Sequence, residues 1–232
     1  MIPLSRRERL RAATIDEIKT IAHQQMAEKG AATLSLRAIA REMGMTSPAL
    51  YRYFASRDDL VTALIVDAYN SLADAMEAAR SDCPPNDYRN CLLAIGLAYR
   101  DWALAHSQDY ALVFGAPIPG YHAPKAITEP PAKRSMRVFI TILATAAQAG
   151  KLHPTPAYAN PPAKLQAQLL AWAKKYSLPP LVSVLYLALA GWSRLHGLVE
   201  LEIFGHIDHV AKNAAELYRG EVLAFIEQAG IA

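Results

Sequence analysis

The chain has 232 residues, with 24 Lys and Arg against 21 Asp and Glu, and this length allows one large or two small domains with a hydrophobic core. Although 53% of the residues are hydrophobic, no run of about eighteen apolar residues predicts a membrane span. The basic N-terminus is not followed by an apolar stretch, which argues against a secretory signal. Two cysteines, Cys83 and Cys91, are too few for a disulfide framework, so reduced thiols in a cytoplasmic protein are expected.

The positive charge is confined to the first quarter of the chain. Residues 1–60 contain ten Lys and Arg against seven Asp and Glu, whereas residues 61–232 contain fourteen of each. A basic segment joined to a neutral remainder predicts that the first part binds a polyanion and that the second part has another task.

The first predicted helix covers residues 5–29 and is closed by Gly30. Ser5 and Glu8 have the spacing of a capping box, in which each side chain satisfies a free backbone amide of the other. Four arginines crowd the start of this helix: Arg6, Arg7, Arg9 and Arg11. Such a charge run is compatible with a solvated helix end and with a phosphate-binding one, and both interpretations stay open here.

The first helix of a predicted helix-turn-helix begins after Ser35, whose hydroxyl can accept a hydrogen bond from a free amide of the first turn. Apolar residues recur at helical spacing and form one buried face: Leu36, Ile39, Ala40 and Met43. Gly44 ends the helix, because the position after a helix often requires a positive φ that glycine adopts at little cost.

A short second helix follows this turn. Thr46 or Ser47 caps it, Pro48 fits its first turn, and it ends near Phe54. The pattern Ser56-Arg57-Asp58-Asp59 then starts a third, longer helix, with acidic residues where the helix dipole favours them. Two helices joined by a glycine turn form a helix-turn-helix, and its second helix enters the major groove of DNA.

The contacts of this motif with DNA follow from its side chains. Tyr51, Tyr53 and Arg57 can bind backbone phosphates, whereas Arg52 and the start of the second helix are suited to base edges and thymine methyls. Packing between helices is the alternative for Tyr51, and Leu50 is a core residue. The predicted DNA-binding residues are Ser35, Thr46, Ser47, Pro48, Ala49, Tyr51, Arg52, Tyr53 and Arg57.

The stretch IAREMGMTSPALYRYFASRDDLV resembles the DNA-binding signature of the tetracycline-repressor (TetR) family of bacterial transcription regulators. Family members more often carry His at the position of Tyr53 and Lys at that of Arg57, and both replacements can still donate to a phosphate. The resemblance implies a cytoplasmic, nucleoid-associated homodimer that binds double-stranded DNA at a palindromic operator. It also implies a repressor that an unknown small-molecule effector releases from that operator, with no membrane partner.

The remainder of the chain predicts further helices and no strands, so the fold class is all-α, with about nine or ten helices. Residues 1–56 form the predicted DNA-binding domain of three helices, and residues 57–232 a larger domain for ligand binding and dimerisation. The predicted helices of the larger domain cover residues 57–81, 87–106, 107–114, 132–150, 164–176, 181–204 and 207–228. Prolines and glycines predict loops at residues 115–131 and 153–162.

A second resemblance lies in residues 191–206, which are similar to the Trp-His-Gly (WHG) class of C-terminal domains in the TetR family. Trp192, His196 and Gly197 carry it, and Gly197 would allow a close helix approach. The family resemblance implies dimerisation through the helices within residues 181–228. The predicted ligand-binding residues are Tyr99, Trp102, Tyr110, Trp192 and His196, with plain core packing as the alternative.

No sequence motif of an enzyme is present, so no catalytic activity and no cofactor are expected. A P-loop and the GxGxxG, GxSxG, HExxH and CxxC patterns are all missing from the sequence. His206 and His209 have a spacing that would also suit two metal ligands, and the sequence leaves that site open. Two other functions are compatible with the motif: a ligand-independent architectural DNA-binding protein, and a helical enzyme with an appended DNA-binding unit.

Overall fold

A computed structural model of the chain describes residues 5–207 and 209–231. Within these ranges the fold is all-α as predicted, with eleven α-helices, one turn of 3₁₀ helix at Ala31–Thr33 and a single extended bridge between Leu152 and Ile231. The helices are α1 Arg6–Lys29, α2 Leu36–Glu42, α3 Ser47–Leu50, α4 Arg57–Ser81, α5 Tyr88–Ala105, α6 Ser107–Phe114, α7 Lys125–Gln148, α8 Pro156–Ala159, α9 Ala163–Tyr176, α10 Val182–Ile203 and α11 Ala214–Gln228.

The helices form two compact units, each built from two segments of the chain. The first unit comprises the chain up to Ala68 together with Gln108–Glu129, and the second comprises Tyr69–Ser107 and the chain from Pro130 onward. This division differs from the predicted one after residue 56, because the segment from Gln108 returns to the first unit. There, Asp109 lies 3.3 Å from His23 of α1, and the Tyr121 hydroxyl lies 2.9 Å from the Thr62 hydroxyl of α4.

Local capping signals fix the helix starts of the first unit. The Ser5 hydroxyl accepts from the Glu8 amide and the Glu8 carboxylate accepts from the Ser5 amide, which is the predicted capping box. Ser35 caps α2 by accepting from the Ala38 amide at 3.4 Å, and Gly44 has the predicted positive φ of 64°. The core of this unit contains the fully buried residues Ile18, Ala22, Ile39, Leu50, Leu60, Val61 and Leu64.

Two helix starts in the second half of the chain differ from the prediction. Helix α7 begins at Lys125 instead of near residue 132, so Pro130 and Pro131 lie inside it. The fixed φ of proline fits a helix, and its missing N–H leaves the carbonyls of Ala126 and Ile127 without a helical donor. Both of these residues are exposed, so water can satisfy their carbonyls, and the predicted loop at 115–131 therefore ends earlier.

Helix α11 begins at Ala214, seven residues after the predicted start. The Asn213 side chain caps it by accepting from the Glu216 amide at 3.3 Å, which supplies the start signal that the sequence analysis missed. Asp208, which the predicted helix included, lies outside the described residues. The short helix α8 within the predicted loop at 153–162 was also missed.

Helix α10 forms the centre of the second unit. Its buried face consists of Val184, Leu185, Leu187, Ala188, Gly191, Leu195 and Val199. In the part of the chain that the structure describes, α10 is also the one helix long and apolar enough to cross a membrane by length and composition, and a core helix passes the same test. Arg100 of α5 binds Glu202 of α10 at 2.5 and 2.7 Å, and Arg194 of α10 binds Glu221 of α11.

Candidate nucleic-acid interface and apolar cavity

The recognition segment, residues 46–54, is a short helix followed by tighter turns. Regular α-helix covers only Ser47–Leu50, which is shorter than predicted, although the Tyr51 amide still donates to the Ser47 carbonyl at 3.1 Å. The Tyr53 amide donates to the Leu50 carbonyl at 2.8 Å, so the chain stays coiled beyond Leu50. Leu50 and Phe54 are buried and anchor the segment in the core, as predicted for Leu50.

One side of the recognition segment faces the solvent. Thr46, Pro48 and Arg52 are exposed, and Tyr51 is 42% exposed. Ser47, Ala49 and Tyr53 are half-buried. The Thr46 side chain makes no capping hydrogen bond. These residues therefore form an outward face of the kind that reads a DNA groove.

Ser35 is half-buried and makes contacts within the protein. Its hydroxyl caps α2, and its backbone amide donates to the Gln25 side chain at 3.4 Å. These contacts give it a structural role, and its DNA contact stays a prediction.

An open groove beside the recognition segment is lined by four arginines. Its volume is about 690 Å³, and we call it the arginine groove; it is lined by Arg6, Arg7, Leu10, Arg11, Thr14, Arg52 and Tyr53. The Arg11 guanidinium carbon lies 5.1 Å from the centre of the Tyr53 ring, a cation–π distance. The structure thus brings three of the four arginines at the start of α1 next to the recognition segment. Clustered guanidinium groups of this kind favour a phosphate-rich partner.

In the structure Arg57 binds groups of the protein itself, and its phosphate contact stays a prediction. Its Nη2 donates to the carbonyl oxygens of Ala31 and Ala32 at 3.1 and 3.0 Å, and its Nη1 lies 3.5 Å from Asp58. Arg57 therefore ties the start of α4 to the 3₁₀ turn. These carbonyls lie 25 and 26 residues earlier in the chain, so no local sequence signal could have found the contact.

Replacing Arg57 by alanine is expected to lower the free energy of unfolding by about 1–3 kcal/mol, because two backbone carbonyls lose a charged donor. Arg52→Ala is the matched control, since the exposed Arg52 side chain should change stability by less than ~0.5 kcal/mol. Urea unfolding followed by circular dichroism measures both values. Equal stability of the two variants would show that the Arg57 contacts do not stabilise the fold.

The second unit contains a small, partly open apolar cavity. It is lined by Met76, Ile95, Gly96, Tyr99, Ser135, Met136, Phe139, Trp192 and Leu195. The free volume is about 30 Å³, which holds a water or two, whereas ligand sites usually measure about 300 Å³ or more. A ligand could enter only if side chains moved, and the two methionines are the most adaptable of them.

Three of the five predicted ligand-binding residues meet at this cavity. Tyr99 and Trp192 line it, and the Tyr99 hydroxyl lies 2.7 Å from Nδ1 of His196. The His196 ring stacks on Trp192, with 4.7 Å between ring centres and 21° between planes. Burial lowers the pKa of His196 below its ordinary value, although Glu200, 3.9 Å away, acts in the opposite direction.

The other two predicted ligand-binding residues lie elsewhere. Trp102 donates from Nε1 to the Ser71 hydroxyl at 3.0 Å and stacks on His106. Tyr110 is fully buried in the first unit, with its ring 5.1 Å from that of Phe114. Conversely, the predicted ligand-binding residues did not include the lining residues of α4 and α7, because methionine and phenylalanine at helical spacing look like any core.

Within the described part of the subunit no other group approaches Gly197 closely, so the close helix approach expected there stays a prediction. A Cβ atom added there would meet nothing within 4 Å, whereas one added to Gly191 would meet Phe225. In residues 5–207 and 209–231, no group of three or more His, Cys, Asp or Glu side chains could hold a metal ion. Asp208, between His206 and His209, lies outside these ranges, so the metal site considered for the two histidines stays untested.

The stability of the protein should fall at low pH through His196. The unfolded imidazole takes up a proton near its ordinary pKa of about 6.5, whereas the buried one stays neutral to lower pH. The contribution of the neutral His196 to the free energy of unfolding is therefore complete above about pH 6.5. It is lost as the pH falls toward the pKa of His196 in the folded protein. We expect the melting temperature of the wild type to drop more between about pH 7 and pH 5 than that of His196→Asn, whose amide can still bond to Tyr99. Parallel pH profiles in a thermal melt would contradict this assignment.

An all-α protein with a helix-turn-helix beside an arginine groove belongs to the class of DNA-binding transcriptional regulators. Two family models support this: "Bacterial regulatory proteins, tetR family" matches residues 20–64, and "Tetracyclin repressor-like, C-terminal domain" matches residues 92–225. The chain belongs to the TetR family. Its resemblance to the WHG class stays a prediction.

Similar proteins agree with this membership. The HTH-type transcriptional regulators Rv1816 of Mycobacterium tuberculosis and Mb1846 of Mycobacterium bovis are each 36% identical over 199 residues, which cover 86% of this chain and 82% of theirs. Among solved structures, the regulatory protein SCO4313 has a TM-score of 0.80 and 38% identity, with 96% of this chain and 100% of that chain covered. A TetR-family regulatory protein from Rhodococcus RHA1, with a TM-score of 0.66 and 19% identity over 94% and 97% of the chains, shares the fold. The protein is therefore a transcriptional regulator of the TetR family.

Proposed function

We propose that this regulator is a homodimeric repressor that binds a palindromic operator and is released from it by a small apolar effector. The observation that carries the DNA-binding part is the exposed face of the recognition segment beside the arginine groove. Direct base contacts come from residues 46–49 and Arg52, and Tyr51, Tyr53 and the arginines of α1 hold phosphates. Such a protein acts in the cytoplasm, at the nucleoid.

The dimer forms through the outer side of α10 and through α11. Residues at every fourth position of α10 face outward and form a narrow stripe of apolar and small side chains: Leu189, Ser193, Gly197 and Leu201. Phe204, just beyond the helix, is 44% exposed. Gly197 lies in this stripe, where its missing side chain would allow a partner helix to approach closely. Two-fold symmetry then places two recognition segments about one helical turn of DNA apart, which requires a near-palindromic operator.

Leu201→Glu is expected to convert the dimer into monomers, because a charge buried at a subunit contact has no partner. Leu170→Glu on α9 is the control, since Leu170 is 41% exposed and Leu201 is 40% exposed. Sedimentation or size-exclusion chromatography with light scattering reports the mass. The proposed interface would be wrong if both variants stayed dimeric, or if both became monomers.

The effector acts through the helix that contributes to both units. Met76 lines the cavity and belongs to α4, which begins at Arg57 in the first unit and continues into the second. An effector that displaced Met76 would shift α4 and, with it, the recognition segment. It releases the operator only if it binds the released conformation more tightly than the DNA-bound one. The cavity favours a small aromatic or aliphatic molecule with one polar group for Tyr99 or His196.

A ligand-independent regulator is the second candidate, and the small volume of the cavity favours it. The two functions are separated by titrating the purified protein with a panel of small apolar compounds, first in thermal melts and then against the operator. A true effector raises the melting temperature by mass action and also weakens operator binding. Compounds that stabilise the protein without releasing DNA, or no stabilising compound at all, would support the second candidate.

The operator itself is found by selection from random or genomic DNA fragments. We expect the selected fragments to share an inverted repeat. Selection without any shared sequence would contradict a repressor and indicate an architectural DNA-binding protein.

A further inference from the structure

The two cysteines of the chain lie in one groove of the second unit. Cys83 follows the end of α4 by two residues, and Cys91 lies in the first turns of α5. The groove, of about 300 Å³, is lined by Arg80, Cys83, Pro84, Pro85, Asn86, Tyr88, Cys91, Ile142 and Thr145. Cys83 is half-buried at this groove, whereas Cys91 is only 4% exposed.

The connection between the two cysteines is held in one shape. The Asp87 amide donates to the Pro84 carbonyl at 3.2 Å, and the Tyr88 hydroxyl donates to the Asn86 side chain at 3.3 Å. Two prolines further restrict the backbone, and Asn86 adopts a left-handed φ of 75°. A short connection of defined shape keeps the two thiols near each other in the folded protein.

The two thiols differ in reactivity. The Cys83 thiol donates to the Ala79 carbonyl at 3.2 Å, and the Cys91 thiol reaches the Pro84 carbonyl at 3.9 Å and also interacts with Cys83. Burial, followed by the interaction with Cys83, raises the pKa of Cys91 to about 12. Cys91 therefore remains a protonated thiol at neutral pH, and the more accessible Cys83 is the one that meets a reagent first.

We propose that Cys83 and Cys91 are a modification site that forms a reversible intramolecular disulfide when the protein meets a hydroperoxide. In the first step the Cys83 thiolate attacks one oxygen of hydrogen peroxide; the S–O bond of a sulfenic acid forms, the O–O bond breaks, and the other oxygen leaves as hydroxide, which takes up a proton and becomes water. In the second step the Cys91 sulfur attacks the sulfenic acid of Cys83; the S–S bond forms, the S–O bond breaks, and the Cys91 proton leaves with the hydroxyl as water. Both sulfurs are oxidised, and one peroxide is reduced to two waters.

Core packing explains the position of Cys91 but not that of Cys83. A buried cysteine packs like a small apolar residue, which suits Cys91 but does not explain a second thiol at the open side of the same groove. The disulfide would join the end of α4 to the start of α5 and so restrain the helix that leads to the recognition segment. The proposal concerns the thiols alone and does not depend on the operator or the effector.

The experiment is a titration of the reduced full-length protein with hydrogen peroxide, followed by intact mass spectrometry without reductant. We expect the monomer mass to fall by about 2 Da, the two thiol hydrogens, and to return on treatment with dithiothreitol. Proteolysis without reductant should yield one joined peptide that contains both cysteines. Oxygen addition without this loss, or a disulfide that links two subunits, would overturn the proposal.

Single variants identify the order of the two steps. Cys91→Ala should stop at a sulfenic acid on Cys83 that dimedone traps, and Cys83→Ser should react far more slowly because only the buried thiol remains. If Cys83→Ser reacts as fast as the wild type, Cys83 is not the attacking thiol and the proposed order is wrong. Circular dichroism checks the fold of both variants, and the wild-type peptide map decides the main question even if Cys91→Ala fails to fold.

Discussion

Arg52→Ala is expected to weaken operator binding by about 100-fold, because each dimer loses two arginine contacts worth about 1–3 kcal/mol apiece. Arg52 is exposed on the recognition segment and also lines the arginine groove, so it can reach either a base edge or a phosphate. Fluorescence anisotropy with a labelled operator measures the affinity. Lys164→Ala removes an exposed positive charge from α9 in the second unit and should leave the affinity nearly unchanged.

The salt dependence of the same variant shows which contact Arg52 makes. A phosphate contact in each subunit adds about 0.9 to the slope of log affinity against log salt, so the dimer would lose a slope of about 2. A base contact would leave the slope nearly constant and relax the preference at one position of each half-site. If Arg52→Ala and the wild type bind DNA with the same affinity, Arg52 makes neither the phosphate nor the base contact. The DNA interface would then lie elsewhere on the protein.

Gly191→Val should lower the free energy of unfolding by about 3 kcal/mol or more, the upper range for an overpacked core. A Cβ atom at this position would lie 2.6 Å from two ring carbons of Phe225 and 3.2 Å from Phe139. Phe225 is 1% exposed and stacks on Phe139 with 5.7 Å between ring centres, so neither ring can leave without opening the core.

Gly220→Ala in α11 is the control for this substitution. An added Cβ atom meets nothing within 4 Å there, and alanine should gain up to about 1 kcal/mol of helix stability over glycine. Chemical denaturation measures both variants under the same conditions. A Gly191→Val protein as stable as the wild type would mean that α10 and α11 can move apart, and that the core around Phe225 is looser than the contacts indicate.

The sequence predicted those parts of the fold whose signals act within a few residues. Ser5 and Ser35 cap their helices as predicted, since a capping side chain bonds to an amide three residues later. The same reasoning failed at Pro130 and Pro131, where the usual rule ends a helix, because the φ of proline fits a helix and the two carbonyls without a donor are exposed to water.

The candidate sites also divide into those with a local sequence signal and those that depend on distant residues. The exposed recognition segment could be predicted because its residues are consecutive. The two carbonyl contacts of Arg57 and the meeting of Tyr99 with His196, 97 residues apart, depend on how distant helices pack, which one sequence does not encode in any local pattern. The sequence could not show which of the predicted aromatic residues line the cavity. Trp102, Tyr110 and Trp192 are distinguished only by the residues that pack around them in the fold.

The return of Gln108–Glu129 to the first unit has a consequence for exchanging parts between regulators. A gene fragment that ends after α4 encodes the helix-turn-helix but omits Asp109, which lies 3.3 Å from His23, and Tyr121, whose hydroxyl shares a hydrogen bond with the Thr62 hydroxyl. A chimaera made by a single crossover would therefore combine this helix-turn-helix with another protein's segment in place of Gln108–Glu129. The two parts would not have evolved together. Transferring the DNA specificity of this protein to another regulator therefore requires that both segments of the first unit be transferred together, the one up to Ala68 and the one at Gln108–Glu129. The alternative is to substitute only residues of the recognition segment.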